Sequence, residues 1–209
     1  MPATDETNAA GPGLVPDELV GTHLARLLVA DNRLTDDQLR HAERIHAKVK
    51  SSRTLLSVII ELGHVNEEQV RATLRARRPP VPLGSVLVEL GHLSAQNLKL
   101  ALALQTERPS VPLSDVLSEN NFAPRPVVFG LLADLHGLVA IELETAELDS
   151  TLLRKVPLRA CRAHGFVPIG SDGERIIVAF ADPTNAVHVG AARQPLGAHL
   201  SIAVPAARP

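Results

Sequence analysis

Residues 82–105 read PLGSVLVELGHLSAQNLKLALALQ, and this stretch decides the fold because it is one copy of an internal repeat. Residues 54–77, TLLSVIIELGHVNEEQVRATLRAR, match it at an offset of 28. More diverged copies begin at Leu24, with LARLLVADNRLTDDQLRHAE, and at Pro112, with PLSDVLSENNFAPRPVVFGLL. Self-similarity at a fixed period of about 30 residues is the signature of stacked helical repeats.

Each copy has the pattern of a helix, a tight turn and a second helix. In residues 82–105 the apolar side chains at Leu83, Val86, Leu87 and Leu90 fall at i, i+3, i+4 and i+7, which is one stripe on a short helix. A residue that tolerates a left-handed backbone should end this helix, since glycine and asparagine adopt that conformation most readily. The four copies place such a residue there: Asn32, Gly63, Gly91 and Asn121.

Polar caps then begin the second helix of a copy. Thr35, Asn66 and Ser94 occupy the cap position, and Thr35 with Gln38 forms a predicted capping box. The second helix again carries an apolar stripe. One repeat cannot bury both stripes alone, so the copies should pack into a helical bundle.

The pattern changes after residue 142. Residues 150–164 favour a helix interrupted near Pro157, and strands are predicted at 166–169, Arg175–Phe180 and 199–204. Turns are predicted at the SDGE sequence of residues 171–174 and at 182–184, with Gly197 closing a short helix. The predicted fold is therefore mainly α with a small α/β part. It comprises a tail at 1–16 that we expect to be disordered, helix-turn-helix repeats at 17–145, and a three-stranded α/β domain at 146–209.

Composition limits the class of function. The formal net charge is -2, and the chain has no Trp or Tyr, so neither charge nor aromatic stacking favours nucleic acid as a partner. Cys161 is the sole cysteine, which excludes an intrachain disulfide. No apolar run is long enough to span a membrane, and the first residues do not form a signal peptide. We therefore expect a cytoplasmic protein that does not insert into membranes.

The repeat and the C-terminal stretch together resemble a known family. Residues 82–105 are similar to the motif RLGxxLVxxGxIxxxxLxxxLxxQ, which recurs in the N-terminal domain of type II secretion and type IV pilus assembly ATPases. The later stretch HGFVPIGSDGERIIVAFADPTNAVHV resembles the α/β portion that follows in those proteins. The resemblance covers roughly residues 24–205 and implies a regulatory or docking module of a secretion, pilus or motility system.

Two departures from the family shape the functional prediction. The sequence contains no GxxxxGK[ST] phosphate loop, so the resemblance does not extend to the ATPase motor, and we expect neither catalysis nor a cofactor. Family members that bind cyclic di-GMP use tandem motifs whose leading Arg contacts a guanine. Here that position is Pro82, Thr54 or Pro112, so we expect cyclic di-GMP to bind weakly or not at all. If it binds, the resemblance implies contacts in the best-preserved copy, at Leu83, Gly84, Leu87 and Gln105.

Two basic clusters are candidate docking surfaces for an acidic partner protein, and either could instead be solvated surface. Arg71, Arg75 and Arg78 lie at i, i+4 and i+7, which predicts a cationic stripe on one helix, with Arg77 beside it. The second cluster is Arg154, Lys155, Arg159 and Arg162. Its arginines could lower the pKa of Cys161, although an idle helical thiol is the expected state.

Histidine spacing predicts no metal site, because none of the nine His lies in an HxxxH or HExxH pattern. The best prediction is a non-catalytic interaction module that docks onto another protein through Arg71, Arg75 and Arg78. The alternatives are a cyclic di-GMP sensor and the N-terminal fragment of a longer ATPase.

Overall fold

The computed structural model describes residues 15–48, 53–109, 111–142, 148–172, 174–180, 186–197 and 199–207. Residues 1–14 of the predicted tail and the predicted turn at 182–184 lie outside these ranges. Val15 is described: its N–H donates to the carbonyl of Pro80 at 2.7 Å, and its side chain packs against the main core. The end of the predicted tail therefore contacts the repeat region.

The described residues contain eleven α-helices and four β-strands, after a 3₁₀ turn at Asp17–Leu19. The helices of the repeat region are α1 Val20–Ala30, α2 Asp36–Lys48, α3 Leu55–Glu61, α4 Glu67–Arg77, α5 Leu83–Glu89, α6 Ala95–Glu107, α7 Leu113–Glu119 and α8 Arg125–His136. The remaining elements are β1 Val139–Glu142, α9 Ser150–Lys155, α10 Leu158–His164, β2 Phe166–Asp172, β3 Arg175–Phe180, α11 Ala186–Leu196 and β4 Leu200–Ala207. Within the described ranges, no helix has the length and apolar character needed to cross a membrane.

The predicted helix-turn-helix pattern is confirmed in all four copies. The turn residues have positive φ, at 55° for Asn32, 70° for Gly63, 79° for Gly91 and 54° for Asn121. A side chain at such a φ is strained unless it is Gly or Asn, so these turns limit which residues can join the two helices. The caps follow the prediction too: Thr35 and Gln38 bond reciprocally at 2.9 and 3.3 Å, and Asn66 forms a second capping box with Gln69.

The α/β part confirms the three predicted strands and adds a fourth. The strand order is β1-β4-β3-β2, with β4 parallel to both neighbours and β2 antiparallel to β3. Strand β1 precedes the predicted boundary at 145/146, yet it pairs with the last strand of the chain. Its four residues, VAIE, are too few for a clear strand pattern, and the strand with which they pair lies some 60 residues later in the sequence.

Strand β2 also runs further than predicted. Ser171 and Asp172 pair with Ile176 and Arg175, so the turn prediction was wrong for the first two residues of SDGE. A two-residue connection suffices to join two antiparallel strands, so the turn is shorter than predicted. The break at Pro157 and the end of α11 at Gly197, with φ of 92°, follow the prediction.

Helix α8 lies at the centre of the molecule. Eight consecutive residues, from 128 to 135, are buried, and α8 packs against α4, α5, α7, β1 and β4. A helix segment buried on all sides must be apolar all round, and residues 128–135 of α8 are so except for Asp134. It therefore joins the repeats to the sheet.

A partly buried carboxylate joins one repeat to the next. Glu89 ends α5, and its Oε2 accepts the N–H of Leu56 at 3.3 Å near the start of α3. Its backbone carbonyl accepts the hydroxyl of Thr54 at 2.7 Å. Burial raises the pKa of Glu89 above its ordinary value of 4.5. The equivalent residue one repeat earlier, Glu61, is half-exposed and binds Arg53 at 2.7 Å.

This asymmetry predicts a pH-dependent gain in stability for Glu89→Gln. A carboxyl whose pKa is higher in the folded state than in the unfolded state lowers the free energy of unfolding once it ionises. As the pH rises, this loss begins at the pKa of the unfolded state and is complete above the pKa of the folded state. The amide keeps an acceptor for Leu56 without the charge. Urea unfolding between about pH 4 and about pH 8 should show the variant more stable than the parent at neutral pH, with the gap closing toward pH 4.

The control is Glu61→Gln at the equivalent half-exposed position, which should not reproduce this pH-dependent gain. A Glu89→Gln protein less stable than the parent at neutral pH would show that the carboxylate charge stabilises the start of α3.

Candidate functional site

The predicted cationic stripe is not a free surface at two of its three residues, because Arg71 and Arg75 pair with a carboxylate of α8, although Arg75 keeps exposed surface. Arg78 is exposed and caps the end of α4 with a left-handed backbone, at a φ of 45°, so the prediction that it continues the helical stripe is wrong. Arg71 Nε lies 2.5 Å from Asp134 Oδ2, and Arg75 Nη1 lies 3.1 Å from Asp134 Oδ1. The Asp134 side chain is 5% exposed, so the carboxylate has left water and depends on these two cations. Arg75 also contacts Glu68 with its other nitrogen. Two of the three predicted partner-binding residues therefore already have a partner inside the chain.

The α8 residues beneath the stripe share its spacing. Gly130, Asp134 and Gly137 lie at i, i+4 and i+7, as the arginines do. A Cβ added to Gly130 would lie 2.9 Å from Arg71 Nη2, and one added to Gly137 would overlap the guanidinium of Arg78. The two glycines thus leave room for guanidinium groups: Gly130 for Arg71, and Gly137, which caps the end of α8, for Arg78, which caps the end of α4.

Arg77 forms an ion pair with another residue of the same chain. Its Nη2 lies 2.6 Å from Asp31 Oδ1 at the end of α1, and Thr73 donates to the other oxygen at 2.9 Å. The hydrogen bond from Arg77 is the main reason that the pKa of Asp31 lies below its ordinary value. Sequence reasoning found these arginines but missed Asp134. The signal available was a single acidic residue in the apolar run VVFGLLADL.

The candidate ligand residues in residues 82–105 contact other parts of the chain. Gly84 is buried, and a Cβ there would overlap Leu98 Cδ1, so Leu98 fills the space beside this glycine. Gln105 Nε2 donates to the carbonyl of Val111 at 3.3 Å. Leu87 is fully buried and Leu83 is half-buried against the core. Close packing of α5 against α6 accounts for the glycine without a ligand.

The second basic cluster is open to solvent. Arg154, Lys155, Arg159 and Arg162 are all exposed on α9 and α10. Within the described ranges none of them lies within 4.0 Å of a carboxylate, and residues 150–171 contain no Asp or Glu. Leu158, in the middle of the cluster, is 65% exposed. This α9–α10 face therefore combines a concentrated positive charge with a protruding apolar side chain.

Cys161 and the histidines add no chemistry to this face. Burial raises the pKa of the Cys161 thiol, so the neighbouring arginines do not activate it, and its side chain packs against the core beneath the sheet. Among the residues that the structure describes, no group of three or more His, Cys, Asp or Glu side chains could hold a metal ion. His92 instead contacts Glu67 at 3.0 Å.

The fold is a set of helical repeats joined through one buried helix to a small α/β domain, and it resembles N-terminal domains of secretion and pilus assembly ATPases. One protein-family model matches part of the chain. Residues 136–208 match the model of the MshEN domain. The match spans β1 to β4 and includes the α9–α10 face.

Two solved structures are similar to the chain. The chain is similar to a structure of MshE with cdg, cyclic di-GMP, at 26% identity and a TM-score of 0.51, over 59% of this chain and 89% of that one. A structure of the N-terminal domain of XpsE is similar at 18% identity and a TM-score of 0.48, over 63% and 87% of the two chains. No curated protein matches the sequence. The resemblance predicted from the repeat and the strand-turn-strand pattern is confirmed.

Removal of the Arg71 side chain should destabilise the protein. Arg71→Ala leaves the buried Asp134 with Arg75 alone, and loss of a hydrogen bond to a buried charge costs about 1.5–3 kcal/mol. Urea unfolding at neutral pH measures the loss. Because the two groups act together, Arg71→Ala with Asp134→Asn should cost less than the two single changes summed.

The matched control is Arg40→Ala, which removes an arginine from an exposed pair with Asp37 and should leave stability unchanged. Equal effects of Arg71→Ala and Arg40→Ala would show that Asp134 does not depend on α4.

Proposed function

We propose that this chain is a non-catalytic cytoplasmic module that docks onto an acidic partner protein of a secretion, pilus or motility system. The observation that carries the proposal is the MshEN match over residues 136–208, in the region that presents the open cationic face of α9 and α10. The lack of a phosphate loop anywhere in the 209 residues supports a role without ATP turnover.

The α9–α10 face suits docking better than the α4 stripe does. To bind a partner, Arg71 and Arg75 would have to move away from Asp134, which would leave a buried carboxylate without a cation beside it. Arg159 and Arg162 have no such cost, because they lie exposed and apart from any described carboxylate. Their guanidinium groups can pair with partner carboxylates in a bidentate manner, while Leu158 supplies an apolar contact at the centre.

Charge reversal tests this docking surface. With tagged full-length chain as bait in lysate of the native cell, mass spectrometry identifies the partner, and its affinity is then measured against salt. Arg159→Glu with Arg162→Glu should weaken binding at least about tenfold and flatten the salt dependence.

The matched control is Arg44→Glu with Lys48→Glu, which reverses two exposed charges four residues apart on α2 and should leave binding unchanged. If the double change at residues 159 and 162 leaves the affinity unaltered, the α9–α10 face is ordinary solvated surface and not the docking site.

A second candidate function is recognition of cyclic di-GMP, and the likeness to MshE with cdg is the observation that favours it. Against it, Pro82 stands where the motif has Arg, which removes five hydrogen-bond donors and a stacking plane. The space beside Gly84 holds Leu98, and Gln105 already donates to Val111.

Calorimetry with the full chain should accordingly give a dissociation constant for cyclic di-GMP weaker than about 10 µM. The variant Pro82→Arg, which restores the leading residue of the motif, should bind more tightly than the parent if the missing guanidinium is the cause. A parent dissociation constant below about 10 µM would establish the sensor function instead.

A further inference from the structure

The outer face of α6 is open where the equivalent face of α4 is covered by a helix. At the repeat offset of 28, Lys99, Ala103 and Thr106 correspond to Arg71, Arg75 and Arg78. Helix α4 packs against α8 on this side, where Arg71 and Arg75 pair with Asp134 although Arg75 and Arg78 keep exposed surface. In α6 all three residues are exposed, and none of them has such a partner on another described helix. The repeat unit therefore presents a face shaped to receive a helix, and within the described ranges no helix of the same chain occupies it on α6.

Apolar side chains at the edges of this face are exposed as well. Leu100 is 49% exposed and Leu102 is 37% exposed. Leu74, which corresponds to Leu102 in α4, is 0% exposed. A residue at a core position of the repeat thus lies at the surface of α6, as expected of a face that a further helix covers.

The charges of the face are self-complementary. Lys99 lies four residues before Ala103 and Glu107 lies four residues after it, so all three share one side of the helix. Among the described residues, neither Lys99 nor Glu107 has an ion-pair partner within 4.0 Å. A two-fold axis through Ala103 would set Lys99 of each copy against Glu107 of the other, and the small side chain of Ala103 lets the helices approach closely.

We propose that a second copy of this chain docks onto α6 in antiparallel orientation, so that the protein forms a homodimer through this face. A parallel pair would place Lys99 against Lys99, and a uniformly acidic partner helix would repel Glu107. The antiparallel copy satisfies both charges and covers Leu100. Because one helix of 13 residues supplies the interface, the dimer is a weak one, with a dissociation constant of about 10 µM to 1 mM.

The test is analytical ultracentrifugation of the full chain over that concentration range, which measures the dissociation constant of the dimer. The parent is compared with variants in which the charge at Lys99 or at Glu107 is reversed. Lys99→Glu gives two acidic pairs in its own dimer, and Glu107→Lys gives two basic pairs, so each variant alone should dimerise at least about tenfold more weakly. In a mixture of the two variants, each acidic face meets a basic one: the introduced glutamate lies opposite the introduced lysine, and the unchanged Glu107 lies opposite the unchanged Lys99. The mixture should therefore recover the dimer. A chain that carries both changes should dimerise like the parent.

Thermal unfolding checks that the variants remain folded, as expected for exposed positions. A second measurement is independent of charge: Ala103→Cys in a Cys161→Ser background should form a disulfide-linked dimer on oxidation, because the two-fold axis brings the new thiols together. A parent chain that stays monomeric up to about 1 mM overturns the proposal. So does a dimer that the single variants leave unchanged, or a mixture that does not recover the dimer, either of which would favour another interface or a helix of another protein.

Discussion

The contact on which the rest of the structure depends is the ion pair between buried Asp134 and the two arginines of α4, Arg71 and Arg75. Helix α8 is surrounded by protein, so an acidic side chain in its middle is tolerated only if cations accompany it into the interior. Arg71 has room to reach Asp134 because Gly130, one turn earlier on α8, has no side chain. The same contact favours one position of α4 along α8, since only that position sets both arginines against the buried carboxylate.

Helix α8 transmits this constraint to the α/β part. It leads after a short turn into β1, and β1 pairs with β4, the last strand of the chain. The repeats and the residues matched to the MshEN domain therefore share one packed element. A partner bound to the α9–α10 face would act on a sheet that is in direct contact with the bundle through α8.

One repeat sequence serves three structural purposes in this chain. The face that α4 turns toward α8 carries arginines, whereas the corresponding face of α6 carries Lys99, Ala103 and Thr106 and remains uncovered within the described ranges. Glu89 is partly buried against α3, while Glu61 at the same repeat position is exposed and pairs with Arg53. The local helix-turn-helix geometry is constant, and the neighbours of each copy decide whether a side chain is core, ion-pair partner or surface.

The sequence by itself determined the elements whose cause is local. The left-handed turns at Gly63 and Gly91, the caps at Thr35 and Asn66, and the strand Arg175–Phe180 follow from residues within a few positions of one another, and so does the resemblance to secretion ATPase domains. The tertiary structure alone decided which charged faces are free. Arg71 and Asp134 are 63 residues apart, and β1 meets β4 some 60 residues later, so no local pattern records either contact. A helical period of i, i+4 and i+7 shows that three arginines share a face, but solvent and a buried carboxylate are equally compatible with that period, and only packing selects between them.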